Sequence, residues 1–129
     1  MKPHTLCAVY FSATGGTRTV VTAMARRLAE LFDLPVRTFD ITLPDARKEP
    51  LRFSPGELVL LGVPVYAGRV PNLLLPYIAS LEGGGAMGVP LVLYGNRAFD
   101  DALVELRGTM DASGFHTVAA GAFIGEHSF

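Results

Sequence analysis

Three short stretches hold the residue types and spacings most able to do chemistry. The first is Ser12-Ala13-Thr14-Gly15-Gly16-Thr17. It offers three hydroxyls and a run of backbone N–H groups where a helical pattern begins. A helix N-terminus presents the positive end of its dipole and unsatisfied donors, which together attract an anion. The glycines let the backbone come close to such a ligand. No lysine follows Gly16, so this is not the Gly-x-x-x-x-Gly-Lys-Ser/Thr loop of nucleoside triphosphatases, and Gly-x-Gly-x-x-Gly is absent too. A cradle without a cation suits a monophosphate held by neutral donors. The competing reading is a helix cap followed by a glycine turn.

The second stretch is Pro64-Val65-Tyr66-Ala67-Gly68-Arg69. Tyr66 can lay a flat face on an aromatic ligand. Gly68 permits either of two backbone conformations where a peptide must aim its carbonyl or its N–H at a heterocycle. The bland alternative makes Tyr66 a packing residue and Arg69 a solvated charge. The third is Gly95-Asn96-Arg97-Ala98-Phe99. Asn96 offers both donors and acceptors to a ring edge, and Phe99 can cover a ring face. Their alternatives are a turn former and a helix-start staple.

These loops need strands and helices to position them. Thr5 to Phe11 is a continuous apolar run, as for a strand buried on both faces. From Thr17 to Phe32, Val20, Val21, Met24, Leu28, Leu31 and Phe32 recur at helical spacing, and Asp33 and Pro35 end the segment. Val36 to Phe39 reads as a second strand. The connection that follows carries Pro44, Pro50 and Pro55, with a helical turn near Asp45-Ala46-Arg47. Glu57 to Val63 is a third strand, Pro71 opens a helix expected to run to Leu81, and Val89 to Tyr94 is a fourth strand. A helix spans Asp100 to Ala112 and stops at Gly114. His116 to Ile124 is a fifth strand.

Alternating strands and helices predict a doubly wound parallel sheet in a single α/β domain spanning residues 1–129, with right-handed crossovers and strand order 2-1-3-4-5. The three loops then leave the carboxyl ends of the first, third and fourth strands, where open α/β sheets bind ligands. A sheet of this kind usually carries a helix after its last strand, and here that final helix is absent. The expectation is that the outer faces of the fourth and fifth strands are left bare and are covered by a second copy, a missing C-terminal segment or a partner domain.

Composition narrows the function classes. Half of the 129 residues are apolar and 18% are charged, which suits a buried core. The formal net charge of −1 gives no basic footprint for nucleic acid. No apolar run reaches the roughly 18 residues of a membrane span. The single cysteine, Cys7, excludes an internal disulfide or a several-thiolate metal cage within one chain. These features favour a cytoplasmic setting without membrane association. Cys7 itself reads as a small buried hydrophobe, His4 and His116 as structural, and His127, near the crevice mouth, as an exposed residue whose alternatives are a contact with a ligand edge or with a partner. Glu126-His127-Ser128 lacks the Gly-x-Ser-x-Gly elbow of a hydrolase.

The pattern Ser-x-Thr-Gly-x-Thr at Ser12 to Thr17 resembles the phosphate signature of flavodoxins. Val-Tyr-Ala-Gly-Arg-Val-Pro, Tyr-Gly-Asn-Arg-Ala-Phe-Asp-Asp-Ala-Leu and Gly-Ala-Phe-Ile-Gly-Glu-His-Ser-Phe follow in order. Together they are similar to the flavodoxin-like domains that precede a ferredoxin domain with two iron–sulfur clusters in bacterial and archaeal proteins. The resemblance covers nearly the whole chain. It implies an FMN-binding redox domain that passes electrons to a ferredoxin-type or other partner. The FMN phosphate would sit on Ser12, Ala13, Thr14, Gly15, Gly16 and Thr17. Its ring would lie between Pro64, Val65, Tyr66, Ala67, Gly68 and Arg69 on one side and Gly95, Asn96, Arg97 and Phe99 on the other. In that family the chain continues into a further helix. Arg69 and Arg97 stand where classical flavodoxins are acidic, which implies easier reduction of the flavin. Two other functions fit the same loops: an FMN-dependent quinone or nitro-compound reductase, and a partner-binding domain without flavin.

Overall fold

In the computed structural model, residues 2–95 and 99–125 are described. At its centre is a parallel sheet whose strands are β1 (Thr5–Tyr10), β2 (Val36–Asp40), β3 (Glu57–Pro64), β4 (Met87–Tyr94), β5 (His116–Thr117) and β6 (Gly121–Ile124). The order is β2-β1-β3-β4-β5, with β6 also paired to β4. Leu6 lies opposite Val36 on one side and Leu58 on the other, and Leu60 lies opposite Val89. Three helices flank the sheet among the described residues: α1 (Gly16–Phe32), α2 (Leu75–Ser80) and α3 (Asp100–Ala112). A 3-10 turn, Pro44–Arg47, follows β2 as the sequence implied. Among the described residues no helix is long and apolar enough to cross a membrane.

Side-chain alternation along β1 divides the core in two. Leu6, Ala8 and Tyr10 pack with Val21 and Ala25 of α1, whereas Cys7 and Val9 pack with Ile78 of α2 and Leu106 and Met110 of α3. Both sides of β1 and β3 are therefore dry, which is why these strands read as unbroken apolar runs.

Three local features differ from expectation, and each has a steric or packing cause. α2 begins at Leu75 rather than Pro71, because Pro76 has no N–H to bond back to Asn72 and so cannot lie inside a longer helix. Pro71 to Leu74 instead form a turn closed by the Leu74 N–H on the Pro71 carbonyl at 2.9 Å.

The fifth strand is cut in two. Val118 N–H donates to the Gly88 carbonyl at 3.0 Å, and the next rung needs an N–H from Pro90. Pairing resumes only at Leu91 opposite Gly121, so two residues of β4 face three on the edge, a bulge.

The exposed apolar residues fall only in part where expected. Val89 and Leu91 of the fourth strand are buried, with Phe123 packed on the same cluster, whereas Val118 and Ile124 of the expected fifth strand are exposed. Exposure appears also at Leu31 (58%) and Phe32 (60%) in the last turn of α1, and at Leu43, Leu73 and Val104. Among the described residues α1 is the only helix on its face, so the flank of its apolar stripe has no second helix to bury it.

Candidate functional site

The carboxyl ends of β1, β3 and β4 lie side by side in the parallel sheet, and the three loops depart from there. Phe11 N–H donates to the Gly62 carbonyl at 3.1 Å, and Val65 N–H to the Leu93 carbonyl at 2.8 Å. The ladder thus extends one residue past each strand before the loops depart.

In the first loop the chain turns at Gly15, whose φ of +94° suits only glycine. Gly16 opens α1 so close to β4 that a Cβ there would sit 2.9 Å from Leu93 Cδ2. The helix N-terminus is therefore pressed onto the strand ends. Five consecutive backbone N–H groups, Ala13 to Thr17, have no acceptor among the described residues. Thr14 and Ala13 are exposed. Thr17 is 4% exposed, yet no buried side-chain oxygen among the described residues lacks a partner; its unpaired hydroxyl therefore keeps a path to solvent. Ser12 does more than the sequence suggested. Its Oγ accepts the Arg18 N–H at 3.0 Å, capping the helix that Gly15 cannot cap, and its N–H donates to Thr42 Oγ1 at 2.9 Å. Among the described residues the Ser12 O–H has no acceptor.

In the second loop Tyr66 and Arg69 exchange backbone hydrogen bonds of 2.8 and 3.0 Å. The two residues between them have positive φ, +52° at Ala67 and +82° at Gly68, as in the mirror-image turns of hairpins. Tyr66 is 48% exposed and, with Val70, Pro71 and Leu73, lines a surface depression of 520 Å³. Pro64 and Val65, which lead into the loop, are half-buried. Arg69 is not a free cation beside the crevice. Its guanidinium pairs with Glu105 of α3, whose other oxygen accepts the Val70 N–H at 3.3 Å. The carboxylate holds the guanidinium in its charged form, above its ordinary pKa. The expectation that Arg69 adds net positive charge at a flavin is corrected by this pairing.

In the third loop Gly95 is half-buried, and Asn96 and Arg97 lie outside the described residues. Phe99 packs on Tyr94, ring centroids 4.5 Å apart and planes 34° from parallel. Phe99 therefore forms one wall with Tyr94 rather than standing as a lone cover. Tyr94 was missed by sequence reasoning, although an aromatic closing a strand at the crevice was the available signal. Thr42 was missed as well; it sits thirty residues from Ser12, beyond any local pattern.

The thiol of Cys7 lies at the other end of the sheet. It donates to Glu57 Oε2 at 3.4 Å, and Glu57 also accepts the Ser54 N–H at 2.8 Å. Burial, then the Glu57 bond, pushes the thiol up to about 12, so Cys7 is inert. Glu126, His127 and Ser128 lie outside the described residues. Among the described residues no cluster of His, Cys, Asp and Glu could hold a metal.

No family model and no curated protein sequence matches the chain. Solved structures do. The flavodiiron core of Flv1 from Synechocystis sp. PCC6803 is 16% identical with a TM-score of 0.65; the match covers 95% of this chain, which spans only 31% of that one. A chain from Bacteroides uniformis ATCC 8492 named as a flavoprotein is 18% identical with a TM-score of 0.60, covering 98% and 94% of the two chains. A flavodoxin from the domain Archaea is 16% identical with a TM-score of 0.63, covering 93% and 84%. Strand order, flanking helices and these likenesses together make the fold of this chain flavodoxin-like.

Proposed function

We propose that this domain binds FMN and serves as an electron-transfer module. The observation that carries the reading is the row of unpaired N–H groups from Ala13 to Thr17 at the start of α1, set on the carboxyl end of a buried parallel strand. The residues present fit a phosphate monoester: neutral donors, hydroxyls of Ser12, Thr14 and Thr17, and no side chain in the turn at Gly15. Neighbours named as flavoproteins support the same reading. FMN, when bound, supplies one- and two-electron redox chemistry. In this reading Tyr66 and the Ala67–Gly68 turn border one side of the ring space and the Tyr94–Phe99 pair the other; the expected roles of Asn96 and Arg97 fall outside the described residues. No general acid or base is needed for electron transfer. The acceptor in this reading is an iron–sulfur protein of ferredoxin type or a comparable cytoplasmic partner.

The open depression beside Tyr66 favours a second reading, an FMN-dependent reductase of quinones or nitro compounds. The bare apolar flank at Leu31 and Phe32 supports association with a second copy or a further segment. Titration of flavin-stripped protein with FMN, riboflavin and FAD tests the main reading. FMN should bind tightest. No binding of FMN, or binding no tighter than riboflavin, overturns it. Steady-state NADH–quinone turnover separates reductase from carrier.

A further inference from the structure

Three residues outside the predicted loops join the first loop through hydrogen bonds of fixed polarity. Asp40 ends β2, and its Oδ1 accepts both the Thr42 N–H at 3.0 Å and the Thr42 O–H at 2.5 Å. A carboxylate has no proton to give, so the Thr42 hydroxyl must donate to Asp40 and turn its lone pairs elsewhere. One lone pair receives the Ser12 N–H at 2.9 Å. Ser12 Oγ in turn receives the Arg18 N–H at 3.0 Å. Each donor along this path is committed in one direction, and the Ser12 O–H is the one left over.

A second restraint acts on the same segment. Arg47, in the 3-10 turn, donates through one nitrogen to the carbonyls of Ile41 at 2.7 Å and Thr42 at 2.8 Å. Its guanidinium lies over the ring of Phe11, 5.5 Å from the centroid. Ile41 N–H also donates to the Tyr10 carbonyl at 2.9 Å. The Ile41–Thr42 segment is therefore fastened to the end of β1 from two directions, and Thr42 presents its oxygen to Ser12 from a fixed position.

We infer that Thr42, held by Asp40 and Arg47, is a positioning residue for phosphate: it takes up the Ser12 N–H and thereby aims the Ser12 O–H and the following N–H row at the anion. This rests on the FMN reading above. Thr42 touches no ligand in this scheme; it acts through Ser12, by setting donor directions before binding. Sequence reasoning had no access to it, since β2 and its following turn lie outside the three loops that carry the recognisable pattern.

The test compares FMN with riboflavin, which has the ring but no phosphate, on flavin-stripped protein by fluorescence quenching. Thr42→Val removes both the acceptor for Ser12 and the donor to Asp40 at nearly constant volume. FMN affinity should fall about tenfold, in the range of one lost hydrogen bond, with riboflavin affinity unchanged. Thr42→Ser should restore the FMN preference. Arg47→Gln loosens the segment without touching the Ser12 bond, and it should lower the FMN preference by a smaller factor; it stands in if Thr42→Val does not fold. If Thr42→Val keeps the wild-type FMN-to-riboflavin ratio, or weakens both ligands equally, the positioning role is overturned while the FMN reading stands. If the wild type itself shows no preference for FMN, the FMN reading and this inference fall together.

Discussion

The guanidinium of Arg69 and the carboxylate of Glu105 form an ion pair that ties the β3–α2 loop to α3, and the same carboxylate accepts the Val70 N–H. The pairing changes what either residue can do for a bound flavin. Arg69→Ala should lower the flavin potential, because it leaves the Glu105 carboxylate uncompensated, and Glu105→Gln should raise it, because it leaves the arginine uncompensated. Replacing both at once should move it little, because the pair it removes is neutral. Spectroelectrochemistry on the three variants checks this; single-variant shifts of the same sign contradict it.

Thr17 offers a clean separation of binding from folding. Its side chain is buried and its hydroxyl is unpaired among the described residues. Replacement by valine keeps the volume and breaks no side-chain hydrogen bond among the described residues. Combined with Thr14→Val, it removes two donors to the phosphate, each contributing about 1.5–3 kcal/mol as a bond to a charged group. FMN titration should show the loss, and thermal melts of the flavin-free variant should match wild type.

Ala67 occupies a left-handed backbone conformation at φ +52°. An L-residue there carries a strain of roughly 1–2 kcal/mol, part of which glycine recovers at a cost in unfolded-chain entropy. Ala67→Gly is therefore expected to stabilise the flavin-free domain by up to about 1 kcal/mol. A β-branched residue, Ala67→Val, should destabilise it. Urea denaturation midpoints decide both.

Cys7 gives a pH dependence whose sign is fixed. The folded thiol titrates near 12 against an ordinary value of 9.0, so above pH 9 the unfolded chain holds fewer protons than the folded one. Stability from this group is complete below pH 9 and declines as pH rises toward 12. Wild type should lose stability between pH 8 and pH 10 more steeply than Cys7→Ala. Equal slopes in denaturant titrations would show that the thiol does not contribute. A thiol reagent should leave folded wild type unmodified at neutral pH.

The sequence carried the architecture because its signals are local. Runs such as Thr5 to Phe11 and Leu58 to Val63, and the helical stripe on Val20, Val21, Met24 and Leu28, identify buried strands and a covering helix, although Leu31 and Phe32 of the same stripe stay exposed. The turn at Asp45 to Arg47 was legible from Pro44 and the charges beside it. Two prolines were under-read. Pro76 shortens α2, and Pro90 breaks the fifth strand, an effect that falls on the neighbouring strand rather than on its own. The loops were legible as donors, but their couplings were not. Ser12 meets Thr42 and Arg69 meets Glu105 across thirty and thirty-six residues, and only the folded sheet brings those pairs together.

The missing rung at Pro90 divides the sheet edge into two units. β6 holds to β4 only through Leu91 to Tyr94, beyond the gap, and Gly125 N–H closes the end on the Tyr94 carbonyl at 2.6 Å. Opening that short piece leaves the pairing of His116 and Thr117 intact. Local opening of this kind costs less than global unfolding. Amide exchange at Ala122 to Ile124 should accordingly run faster than in β1 and β3. Since this unit borders Tyr94, its exchange rate becomes a gauge of whether the crevice is filled, readable without unfolding the domain.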